Sequence, residues 1–196
     1  MALDNFFRFV SDFKSVAALI GKAALLAPFI DLLLNIGPPW PTRTGVPALT
    51  SLAEVFVLIY IFQFYTPLSR KRLENRLRKF FILTIVCFIF YISMYSFFVY
   101  EATTTKLRDV KGFIVRPEIQ KIVGPNRTLD RVLEGAEWDA ERVWETWTVH
   151  TMRISLLLAW ILFFVGIAGC IAIFVTLQKK ARPAKTQSVI LEPGHP

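Results

Sequence analysis

Residues Phe80–Tyr100 form an uncharged run of twenty-one, rich in phenylalanine, entered directly from the basic stretch SRKRLENRLRK at Ser69–Lys79. A helix rises about 1.5 Å per residue, so about 20 such residues in a row cross the hydrocarbon core of a bilayer. Ile154–Leu177 repeats the feature, again without a charge. Two such runs mark an integral membrane protein. The chain is 54% hydrophobic and holds eighteen phenylalanines among 196 residues, which decides against reading either run as the core of a soluble domain.

Two less regular apolar stretches, 13–36 and 47–65, carry polar residues but are also long enough to span. Between them GPPWPTRTGV supplies Gly37, Pro38, Pro39, Pro41 and Gly45, a helix-breaking turn that ties the stretches into a hairpin, with Trp40 suited to an interfacial anchor. The expected fold is therefore all-α: an integral membrane protein with four transmembrane helices at 13–36, 47–65, 80–100 and 154–177. A cytoplasmic segment 1–12 precedes them, and a tail 178–196 without span-like pattern follows. The first apolar stretch contains Lys22 and runs on without a cleavage site, so the N-terminus is expected to be retained.

Orientation follows from the basic residues. The loop 66–79 holds Arg70, Lys71, Arg72, Arg76, Arg78 and Lys79 against one acid, and the tail opens with Lys179, Lys180 and Arg182. Both belong in the cytoplasm under the positive-inside tendency, placing N- and C-termini on that side of the cell inner membrane. The segment between the two clear spans, 101–153, then becomes a small extracytoplasmic insert, mainly helical. Its eight basic residues over 101–151 are balanced by nine acids.

Within the insert KGFIV at Lys111–Val115 reads as extended, and Pro117 opens a short helix over PEIQKIV. From Thr128 onward Leu129, Val132, Leu133, Ala136, Ala140, Val143 and Trp147 recur at three- and four-residue steps. That periodicity predicts one amphipathic helix, bent at Gly135, running on into the last span. Trp138, Trp144 and Trp147 lie on or beside the stripe, where indole rings serve either as an interfacial belt or as a docking surface.

Candidate chemistry is sparse. No paired cysteine motif, metal-binding histidine pair, phosphate-binding glycine loop or nucleophile elbow occurs, so no enzyme activity, cofactor or metal is expected. Cys87 and Cys170 each lie inside a span and read as packing residues. His150 and His195 have no partner motif. Asn126-Arg127-Thr128 is a glycosylation sequon, meaningful only in a eukaryotic secretory pathway.

Charged residues inside the weaker spans are the stronger candidates, because an ionisable group costs about 2.5–3.5 kcal/mol in a bilayer unless paired or hydrated. They are Lys22, Asp31 and Glu54. Counted from the outer ends, both acids fall about 7–11 Å below the outer boundary and share one layer. Repeated in an oligomer, they would form a ring attractive to cations; the alternative places them in a wet vestibule or in hydrogen bonds from Thr50, Arg43 or the insert. The basic loop is expected to bind anionic lipid or a cytoplasmic protein partner. It is too short to read bases, and direct nucleic-acid binding is not expected. In the last span GIAGCIA at Gly166–Ala172 offers small-xxx-small spacing for close helix packing.

The insert has no cysteine and spans two and three no Cys-Cys-Gly, which separates the chain from tetraspanins and claudins. In layout it resembles the membrane subunit of the bacterial Kiwa anti-phage defence system: four spans, a basic cytoplasmic loop, and an insert carrying KGFIVRPEIQKIVG and EWDAERVWETW before span four. That resemblance implies an inner-membrane homo-oligomer that senses phage attack and works with a cytoplasmic DNA-binding partner; it assigns no residue. A multi-pass sensor or scaffold is the first functional expectation. An oligomeric cation pore or transporter subunit using Asp31 and Glu54 is the second.

Overall fold

The computed structural model describes residues 36–40, 45–102, 107–123 and 129–181. It is mostly helical, and three helices are long and apolar enough to cross a membrane: α1 at Gly45–Tyr65, α2 at Arg70–Phe98 and the longest at Thr146–Ala181. The expected first span, 13–36, lies outside the described residues except for Ile36. Between α2 and the longest helix come strands β1, Val99–Glu101, and β2, Arg108–Val110, then α3, Pro117–Gln120, α4, Leu129–Gly135, and α5, Ala140–Val143. The longest helix is therefore α6.

The basic stretch 70–79, expected as loop, is the first three turns of α2. Arginine, lysine, leucine and glutamate are good helix formers, and Arg70 Nε meets Glu74 Oε1 at 3.0 Å across one turn. Helix propagates outward from the apolar run until Pro67, so only Thr66–Ser69 remains a turn. At the other end α2 stops at Phe98, two residues short of Tyr100. There β-branched Val99 turns extended and the chain pairs antiparallel with β2 in the register Val99↔Val110, Tyr100↔Asp109, Glu101↔Arg108. A β-hairpin thus stands where an all-α chain was expected.

The single long helix predicted from residue 128 into the last span is also replaced. Glu137 and Trp138 adopt positive φ, 58° and 63°, which ends α4 and reverses the chain. Asp139 then caps α5 by accepting from the Glu141 amide. Trp144 is extended and bridges to Val115, and only from Thr146 does helix resume. Part of the 3.6-residue stripe is buried, because Leu133, Ala140 and Val143 meet in one cluster with Trp144 and Val149, whereas Trp147 is exposed. They arrive there from separate helices.

Helix α6 is the central post. Its main helix partners are α2 and α1, and 56% of its apolar stretch is buried against 28% for α1 and 17% for α2. Two clusters line its length. Nearer the insert Val46, Tyr91, Val110, Leu156, Trp160 and Phe164 pack together, and nearer the basic end Leu58, Ile61, Tyr65, Leu73, Ala172 and Ile173 do so. The Tyr91 hydroxyl donates to the Ile36 carbonyl. Gly37 and Pro38 beside it are buried and Trp40 is exposed, so the turn before α1 rests on α2.

The small residues of α6 set how closely the helices meet. A Cβ built on Gly166 would overlap Thr84 Oγ1 and lie 3.3 Å from Thr84 Cα, and one on Gly169 would lie 2.6 Å from the Phe80 ring. Ala168 and Ala172 are buried as well, in the cluster that holds Leu58 and Ile61 of α1. The GIAGCIA segment therefore does pack closely. Overpacking of this kind costs about 1–3 kcal/mol. Gly166→Ala is accordingly expected to lower the thermal midpoint in detergent, with Thr84→Ala restoring part of the loss; an unchanged midpoint would contradict the close approach.

Candidate functional site

Three polar features interrupt this apolar bundle, one at each end and one inside. At the insert end Arg153 stands on the second turn of α6, with only 12% of its side chain exposed. A cation at the threshold of an apolar helix needs anions, and the fold brings two. Asp109 of β2 accepts from Arg153 Nε at 3.1 Å and Nη2 at 2.7 Å, a two-point contact, while Glu141 of α5 accepts from Nη1 at 2.8 Å. Such planar, charge-assisted pairs fix geometry as well as adding energy. Arg153 thereby ties hairpin and α5 to α6.

A second arginine strengthens the joint. Arg116 donates to the Trp144 carbonyl and to Thr146 Oγ1, both at 3.2 Å. Its amide bonds to the Val143 carbonyl, and the Glu145 amide to the Ile114 carbonyl. Gly112 allows the approach, because a Cβ there would lie 2.7 Å from Trp144 Cβ.

The three tryptophans separate. Trp144 is 4% exposed and belongs to the insert core. Trp138 is half-buried and stacks on Tyr100, whose hydroxyl donates to the Trp138 carbonyl at 2.8 Å. Only Trp147 is mainly exposed, edge-on to Phe113. One of the three therefore presents an open indole face.

Inside the bundle, Glu54 lies on the buried stripe of α1 that runs Val46, Thr50, Glu54, Leu58, Ile61, Tyr65. It is 3% exposed, and its Oε2 has no hydrogen-bond partner among the described residues. Thr50, one turn away on the same face, gives its hydroxyl to the Val46 carbonyl at 2.8 Å and so does not satisfy the acid. An open acceptor inside a bundle is a place where a cation, a donor group or a proton can bind. Asp31 and Lys22 lie outside the described residues.

At the opposite end the six cations of residues 70–79 divide by geometry. Arg70 is engaged with Glu74. Arg72, Arg76 and Lys79 line one cleft of about 330 Å³ with Leu68 and Asn75. Lys71 and Arg78 point elsewhere, about 100° or more around the helix from Arg72. Lys180, near the end of α6, donates to the Leu68 carbonyl, so both basic segments meet at one end of the bundle.

Among the described residues no group of three or more His, Cys, Asp or Glu is placed to hold a metal ion. Both cysteines are free, with Cys170 beside the Thr84 hydroxyl. No family model, curated protein or solved structure matches the chain.

The Arg153 network had a signal in the sequence, an arginine one residue before the last apolar run. Its partners, 44 and 12 residues earlier, had none. Arg153→Met is expected to loosen the insert by about 2 kcal/mol, since it leaves Asp109 and Glu141 facing one another without a cation. Limited proteolysis of the full chain in detergent should then cut within residues 101–145 while the helical signal of the spans is kept. Equal protection of variant and parent would remove the clasp.

Proposed function

We propose that the chain is a non-enzymatic, multi-pass inner-membrane sensor or scaffold subunit, with four spans, both termini in the cytoplasm, and a cytoplasmic protein partner. The observation that carries the reading is the Arg153 clasp. A receptor needs its exposed part joined stiffly to a span, and Arg153, Asp109 and Glu141 supply that joint at one end of α6. At the other end of the same helix Lys180 holds the turn between α1 and α2 beside the basic cleft. Movement of the insert therefore has a continuous helical route to the basic end. Arg70–Lys79 and Lys180 at one end, with the charge-balanced insert at the other, favour the proposed orientation. The overall layout favours a place in anti-phage defence.

Glu54 supports a second reading, a homo-oligomeric cation pathway, because its open carboxylate oxygen lies within the bundle. The two readings separate on two variants. Cells carrying the chain with its neighbouring genes are challenged with phage, and ion flux is measured in vesicles containing the purified protein. A sensor predicts protection that is lost in Arg153→Met at equal membrane abundance and retained in Glu54→Gln. A pore predicts flux that Glu54→Gln abolishes, and protection lost with it. Absence of protection in the parent would sink the defence assignment, and flux insensitive to Glu54 would sink the pore.

A further inference from the structure

Arg72, Arg76 and Lys79 fall within about 60° of one another on α2, and together with Asn75 and Leu68 they line a cleft rather than a flat surface. None of the three has a carboxylate partner among the described residues, whereas neighbouring Arg70 does. One wall is fixed, because the Leu68 carbonyl accepts from Lys180 and the Leu68 amide bonds to the Tyr65 carbonyl. Arg76 is held over the Tyr65 ring, 5.7 Å from its centroid, and Tyr65 in turn meets Phe80. Two arginines, a lysine and an asparagine lining one space offer guanidinium, ammonium and amide donors to a phosphate group.

The same face of α2 continues into the apolar run. Leu83, Val86 and Phe90 follow Lys79 at three- and four-residue steps, and they are 48%, 56% and 50% exposed. Cationic cleft and apolar track are thus collinear, at the level where charged sequence gives way to membrane-spanning sequence. A free phosphate or nucleotide has no use for the track; a phospholipid uses both. We propose that this face of α2 is a binding site for an anionic phospholipid, its headgroup phosphate in the cleft of Arg72, Asn75, Arg76 and Lys79 and an acyl chain along Leu83, Val86 and Phe90. The site requires only that α2 spans a bilayer and is independent of the sensor reading.

The test compares two double variants that remove equal charge and leave the Arg70–Glu74 and Arg76–Tyr65 contacts alone. Full-length protein in detergent is titrated with phosphatidylglycerol, phosphatidylcholine and inorganic phosphate, and bound lipid is counted by native mass spectrometry. A Lys or Arg near anionic lipid is worth about fivefold in affinity, so R72Q/K79Q should bind phosphatidylglycerol about thirtyfold more weakly. K71Q/R78Q should stay within about threefold of the parent. The four residues are exposed, and circular dichroism checks that each variant keeps its helix. Equal losses in the two variants would reduce the site to a diffuse basic surface. Phosphatidylcholine binding as tightly as phosphatidylglycerol would remove the phosphate cleft, as would a parent that takes up no lipid because a second copy or another segment covers the face. Inorganic phosphate displacing the lipid at similar concentration would make the ligand a soluble anion and overturn the lipid assignment.

Discussion

Where α2 and α6 cross, Gly166 lies against Thr84 with no room for a side chain on the glycine, and the remaining architecture is arranged around that approach. Helices in lipid gain little from burying apolar surface, since the surrounding acyl chains are as apolar as leucine. Association depends instead on packing, and packing on how near the backbones come. Gly166, Ala168, Gly169 and Ala172 bring α6 close to both of its partners, so α1 and α2 can flank one post while the outer side of α2 stays open. Thr84 sends its hydroxyl back to the Phe80 carbonyl at 2.8 Å, which keeps the tight face free of unpaired polar groups. Among the described residues Glu54 departs from that pattern.

The polar groups that remain are graded by position. At the insert end Arg153 is held by two acids and Arg116 by backbone and Thr146. At the opposite end the cations of the cleft are open to the medium. Between them, one carboxylate oxygen of Glu54 is enclosed with no hydrogen-bond partner among the described residues. Partnered groups hold shape, whereas open ones are available to something else. This gradient separates the structural joint from the two places where polar groups are left open.

Hydropathy located three of the helices because an uninterrupted apolar stretch as long as a bilayer is thick is costly to keep anywhere but in lipid. The span at 47–65 came within two residues of α1. Boundaries elsewhere slipped for a simple reason: hydropathy marks where lipid ends, while helix continues as long as residues such as Arg70–Lys79 favour it. The insert departs from the expectation because a 3.6-residue stripe is indifferent to whether one helix or several shorter ones supply it. Left-handed Glu137 and Trp138 carry no glycine to advertise the reversal. Pairing of Val99 with Val110, and of Arg153 with Asp109, joins distant residues, and a single sequence holds no record of such partnership. Glu54 was legible as an anomaly; that Thr50 would turn away from it was not.

Arg153 and Lys180 mark two points on α6 whose separation is itself a measurement. Twenty-seven residues of helix extend about 40 Å, which exceeds the hydrocarbon core of about 30 Å and approaches the full bilayer with its headgroups, about 40–45 Å. The 21 residues of α1 extend only about 32 Å and fit the core alone. A helix crossing a bilayer upright with cations at that separation would carry them at headgroup level on opposite faces. At that level Asp109 and Glu141 supply from within the chain the anions that Arg153 needs, and only 12% of its side chain stays exposed.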